Sequence, residues 1–124
     1  MNILKALNIE NIVLKDNRFE AKMNITGFHD QGYGIVHGGL TIAFAETLAG
    51  YASNKMISHD LLAVGQSVTA NHISPKSING YLRAKGKLMH RGKNTHLWFI
   101  EIVDENNELI SLINITNFII KKNI

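Results

Sequence analysis

Between Gly39 and Asn54 the chain reads GLTIAFAETLAGYASN, and a helix built from it would carry apolar side chains on every side. Leu40, Ile42, Ala43, Phe44, Ala45, Leu48, Ala49, Tyr51 and Ala52 surround the axis instead of lining one stripe. A helix of that kind has to be buried. This need constrains the fold more than any other feature, because the rest of a 124-residue chain must supply the cover.

The flanking segments read as strands. In RFEAKMNIT, Phe19, Ala21, Met23 and Ile25 face one way and Glu20, Lys22 and Asn24 the other, the pattern of a half-buried strand. The first dozen residues suit a short helix leading into a strand. After the helix come four strand-like segments, about 61–73, 79–90, 94–103 and 108–120, with HRGKN and DENNE as hairpin turns in the last two connections. Alternation with short turns implies an antiparallel sheet. A flat sheet covers one side of a helix only. A strongly curved one covers much of it, and a second subunit can cover the rest. The predicted class is α+β: a curved antiparallel sheet of five to six strands around one central helix, in one domain over 1–124.

Composition narrows the function classes. The chain has no cysteine, so disulfides, thiolate nucleophiles and Cys-based zinc sites are excluded. No stretch has the apolar length of a membrane span, and the N-terminal residues do not read as a signal peptide, so a cytoplasmic protein is expected. The net charge of +3 is concentrated in RAKGKLMHRGK, from Arg83 to Lys93, and in Lys121 and Lys122. The run reads as a solvated hairpin. It contains no aromatics, which disfavours nucleic acid, and it suits a small phosphorylated ligand better. His29, His59, His90 and His96 have no metal-ligand spacing, and phosphate loops and a GxSxG elbow are absent.

Glu46 interrupts the apolar helix. Its neighbours at three and four residues, Ile42, Ala43, Ala49 and Gly50, cannot neutralise it, and three of them are small. That pattern describes a face another surface approaches closely. An unpaired buried charge is costly, so a structural role explains it poorly. Partial burial would raise its pKa toward the range of a useful base. Ahead of it, His37, Gly38 and Gly39 open the helix. The first N–H groups of a helix lack internal partners and favour negative charge, so a polarised carbonyl or an oxyanion suits this place. Alternatively, the glycines only permit a tight turn and close packing.

The segment GYGIVHGGLTIAFAETLAGYAS, with GQSVTANHISP and GKLMHRGKNTHLWFIEIVDENNELI after it, resembles the hotdog acyl-CoA thioesterases related to the phenylacetic-acid-degradation and hydroxybenzoyl-CoA enzymes. The likeness covers roughly residues 20–120. It implies the hotdog fold, in which a curved sheet wraps a central helix. It also implies that Glu46 activates water against a thioester, or attacks it directly, and that the Gly38 N–H holds the oxyanion. Gln31 would lie near the thioester and His72 at the acyl pocket, with Gly39, Gly50 and Asn71 also contacting substrate. Relatives often carry Ser or Thr one turn after the glutamate, where this chain has Gly50. With no cysteine and no serine elbow, acyl chemistry here must use a carboxylate and water. The implied activity is acyl-CoA hydrolysis to a free acid and CoA, with no separate cofactor and no metal. A hotdog hydratase or dehydratase, or a domain that binds acyl-CoA without turnover, are the alternatives. Arg91 and Lys93, in HRGKN, are expected to help hold the CoA phosphates.

Helix geometry adds an expectation about assembly. His37 and Glu46 are nine positions apart, roughly 13 Å along one axis. One thioester carbon cannot reach both groups of the same chain. Two helices packed antiparallel across a two-fold axis would bring each N-terminus to its partner's middle. A dimer, or a pair of dimers, is therefore expected, each site taking Gln31, His37 and Gly38 from one chain and Glu46 from the other.

Overall fold

The alternation seen in the sequence becomes the two faces of a single sheet. The computed structural model describes residues 2–122. A helical turn, α1 (Ile3–Ala6), leads into β1 (Ile9–Lys15) and β2 (Arg18–Asn24). The long helix α2 (Gly38–Met56) follows, then β3 (Leu61–His72), β4 (Tyr81–Arg91), β5 (Thr95–Asp104) and β6 (Leu109–Lys121). All pairings are antiparallel, in the order β1-β2-β4-β5-β6-β3, so β1 and β3 are the edges. The expected elements are present, with bounds that differ by a residue or two.

Phe19, Ala21 and Met23 of β2, Leu82 and Ala84 of β4, Trp98, Ile100 and Ile102 of β5, and Ile113 and Ile115 of β6 form the inner face. Helix α2 lies on that face and inserts Phe44 and Leu48, each worth about 1.5–3 kcal/mol when fully buried. The basic run from Arg83 is one arm and the turn of the β4–β5 hairpin, solvated toward its tip, where Lys87, His90, Arg91 and Lys93 are exposed. Its first half lies inside the sheet, where buried Leu82 and Ala84 alternate with half-exposed Arg83 and Lys85. Gly86 lies under the Phe19 ring, which packs against Trp98 with centroids 5.1 Å apart.

The helix is covered on one side only. Thr41, Phe44, Ala45, Leu48, Ala49, Ala52 and Ser53 are buried, whereas Gly39, Ile42, Ala43, Glu46, Thr47, Gly50 and Tyr51 are exposed or half-exposed. This corrects two expectations. Ala49 does not share the face of Glu46 but lies in the core with no exposed surface, and Glu46 is exposed in the single chain rather than partly buried. A helix apolar all round carries no phase, so its sequence could not say which apolar residues meet the sheet.

Polar contacts lock the C-terminal half of α2. The Asn54 side chain accepts from the Ala63 N–H at 2.9 Å and donates to the Ala63 carbonyl at 3.2 Å, which ties the helix to β3. The Ser53 hydroxyl accepts from Trp98 Nε1 at 2.8 Å and from Asn117 Nδ2 at 3.2 Å, and lies 2.7 Å from His96 Nδ1. With both acceptor positions filled, its proton goes to His96 Nδ1, and the ring is neutral with its own proton on Nε2. Burial, then the Arg91 and His90 charges, hold the His96 pKa below its ordinary value.

Candidate active site

A cleft of about 360 Å³ opens at the N-terminal end of α2, and Gln31, Gly38, Thr41, His72, Lys76 and Ser111 line it together. Each wall has a local cause. The loop before the helix is pinned from beneath by His29, which is fully buried. His29 Nδ1 accepts the Thr26 N–H at 3.0 Å, so Nε2 donates to the Leu7 carbonyl at 3.2 Å. The Asp30 carboxylate then accepts the N–H groups of Gly32 and Gly34 at 2.8 and 2.9 Å, and these bonds hold its carboxyl below the usual range. Both glycines have positive φ, 115° and 78°, a region that other residues enter only with strain. Gln31 is thereby presented to the cleft on a tied loop.

At the helix terminus His37 is the N-cap, and its Nδ1 accepts the Gly39 N–H at 2.9 Å. Leu40 N–H donates to the His37 carbonyl at 3.0 Å. Among the described residues the Gly38 N–H has no protein acceptor. The His37 ring is thus engaged with the helix and is not among the groups lining the cleft. Across from Gly38 stands His72, whose Nδ1 is 2.8 Å from Ser111 Oγ. A Cβ on Gly38 would fall 2.7 Å from His72 Nε2, so a side chain there would displace the imidazole. Opposite, the nearly buried Lys76 donates to the Asn79 carbonyl at 2.7 Å and to Glu105 Oε1 at 3.1 Å, which fixes the loop after β3.

Glu46 lies elsewhere. It stands on the open face of α2 above Gly65 of β3, in a shallow depression with Ile3, Ala43, Thr47, Gly50 and Tyr51. A Cβ on Gly65 would come within 2.5 Å of Glu46 Oε2, so this glycine gives the carboxylate its room. The register of β3 slips between Gly65 and Ser67, as a bulge does. Among the described residues no carboxylate lines the cleft itself.

One chain therefore divides the expected site residues. Gln31, Gly38 and His72 come together, and Glu46 and Gly50 share the second depression. Gly39 is committed to the cap. Asn71 is adjacent to His72 on a strand, so it points to the opposite face and away from the cleft. Arg91 donates to the Met56 carbonyl at 2.7 Å, at the other end of the helix from Gly38, roughly 27 Å along its axis. Ser111, Thr41 and Gly65 were not foreseen. Gly65 had a signal, since a glycine inside a strand marks a bulge or a close approach. Ser111 had none, because its importance depends on β6 pairing with β3 through His72 and Ser111. Among the described residues no group of His, Asp or Glu could hold a metal ion, and no helix is long and apolar enough to cross a membrane.

The family model of the thioesterase superfamily matches residues 33–111. The 1,4-dihydroxy-2-naphthoyl-CoA hydrolase of Listeria monocytogenes is 29% identical, with 98% of each chain covered. The acyl-coenzyme A thioesterase PaaI of Escherichia coli is 31% identical over 87% of this chain and 75% of that one. The crystal structure of yhdA from Lactococcus lactis superposes with a TM-score of 0.94 at 40% identity, covering 99% of this chain and 100% of that one. With its six-stranded curved sheet around one long helix, the chain belongs to the thioesterase superfamily and is a thioester hydrolase of the hotdog fold.

Proposed function

We propose that the protein hydrolyses an acyl-CoA to a free acid and CoA, in sites shared between two copies of the chain. One observation carries the reading: the cleft holds donors but no carboxylate, while an exposed carboxylate without a salt-bridge partner among the described residues stands on the uncovered face of the same helix. Glu46 lies eight positions beyond Gly38, about 12 Å along the axis, too far to act in the same chain's cleft. An antiparallel second helix brings the partner's carboxylate to it and covers the open face.

In that arrangement the thioester oxygen meets the Gly38 N–H, and the helix dipole favours the negative charge that develops there. A water oxygen bonds to the carbonyl carbon while Glu46 takes one of its protons. Collapse of the oxyanion breaks the C–S bond, and the departing thiolate recovers that proton. Direct attack by Glu46, through an anhydride, uses the same placement. The names of the similar proteins, two of which act on CoA thioesters, support the CoA class. A pool of CoA thioesters implies a cytoplasmic enzyme.

Release of thiol from a panel of aromatic and aliphatic acyl-CoAs tests the activity. Glu46→Gln keeps the volume and removes the base, and is expected to lower kcat by about 10²–10⁴-fold. Mixing Glu46→Gln chains with Gly38→Ala chains tests the sharing. Half of randomly mixed dimers are hybrids with one intact site, so recovery to about a quarter of wild-type activity is expected. No recovery, with exchange verified and both parents inactive, rules out shared sites.

A further inference from the structure

Ser111 is buried with no exposed surface on β6, and its hydroxyl has a single hydrogen-bond partner among the described residues, His72 Nδ1 at 2.8 Å. That pairing has a direction. A buried hydroxyl proton with no acceptor is costly, and Nδ1 is the one acceptor in reach. Ser111 therefore donates, Nδ1 accepts, and the neutral ring carries its proton on Nε2. That nitrogen is the ring atom nearest Gly38, as the 2.7 Å approach of a Cβ built there records. The imidazole Nε2 and the Gly38 backbone, whose N–H is free among the described residues, thus face each other closely in the cleft that both residues line.

We infer that Ser111 is a positioning residue: it holds His72 in the Nε2–H form, so that the ring donates a second hydrogen bond to the thioester oxygen beside Gly38. Without the serine hydroxyl the ring is free to place its proton on Nδ1, and Nε2 then presents a lone pair to the developing oxyanion. A lone pair there repels the charge that Gly38 stabilises. The role rests on the proposed thioester hydrolysis, but the state of the ring does not, and the two can be measured apart.

The ring is read by ¹⁵N–¹H correlation of the histidine side chains in the free protein, with His72 assigned from a His72→Gln spectrum. Wild-type protein is expected to show His72 protonated at Nε2 at pH 8. Ser111→Ala is expected to shift its signals toward the Nδ1–H form, and to lower kcat for the best acyl-CoA by about tenfold with KM within about twofold. Ser111→Thr, which keeps the hydroxyl, is expected to restore both. In a His72→Ala background, Ser111→Ala is expected to have no further effect on kcat, because the serine acts through the ring. A wild-type His72 protonated at Nδ1 overturns the inference, and so does an unmoved ring in Ser111→Ala. A full additional loss of kcat in the His72→Ala background makes Ser111 merely structural. If no thioester is hydrolysed by the wild type, the functional reading fails while the ring measurement still decides the tautomer.

Discussion

Replacing Ser53 with alanine removes one oxygen and strands three buried groups. Trp98, Asn117 and His96 are at most 1% exposed, and each meets the Ser53 hydroxyl. Each buried polar group left unpaired costs about 1–3 kcal/mol, with the orphaned donors Trp98 Nε1 and Asn117 Nδ2 the worst placed. Asn117 Oδ1 already lacks a partner, so the amide has nothing to turn toward. The space vacated is about that of one hydroxyl, too small to admit a bridging water. Allowing for relaxation, the expected loss is about 3 kcal/mol. At about 4 °C per kcal/mol for a chain of this size, Tm falls by about 12 °C. Urea unfolding and calorimetry at a fixed protein concentration measure it, since association shifts apparent stability. Lys87→Ala, exposed on the outer face of β4, is the control and should stay within about 0.5 kcal/mol. A loss below about 1 kcal/mol in Ser53→Ala, with an unchanged denaturant slope, would mean that the network is not holding the helix to the sheet.

The same network predicts a pH dependence. The His96 pKa is depressed in the folded state, so its contribution is fully present above about pH 6.5 and is lost as the pH falls through the folded value. Urea midpoints between pH 5 and 8 are expected to fall at the acid end, and less steeply in His96→Gln. Gly38→Ala is expected to lower kcat by at least about tenfold while the chain still folds, because the new Cβ meets the His72 ring and not backbone; a normal kcat separates His72 from the chemistry. Replacing Arg91 and Lys93 together by alanine is expected to raise KM at low salt with kcat little changed. An unchanged KM would leave Arg91 with the role seen here, capping the Met56 carbonyl.

Much of the fold was legible because strands with one buried face write their period into the sequence, as Phe19, Ala21 and Met23 do. The buried helix was legible in existence but not in rotation, which is why Ala49 was assigned to the wrong face. In the site, Gly38 and Glu46 stood out because a glycine pair before a helix and an acid within an apolar run each break a local pattern. Ser111, Ser53 and His96 break none. A serine or a histidine on a strand is unremarkable until the sheet order decides which strand it meets, and that order depends on contacts between distant segments. The proposed division of the site was legible for another reason: it follows from the rise of a helix, which needs no tertiary information.

The sheet order also sets a timetable for making the protein. Strand β3 leaves the helix and crosses to the far edge, where its sole neighbour is β6, the last strand of the chain. Leu109 is synthesised 37 residues after His72, roughly 2–7 s later at about 5–20 residues per second. During that interval helix α2 and β3 have been made, but the strand that joins β3 to the rest of the sheet does not yet exist. The nascent chain then displays an apolar helix and two open strand edges, the condition in which strands pair wrongly. Folding must finish from the C-terminus. A chain that ends before β6 lacks both its last core layer and Ser111.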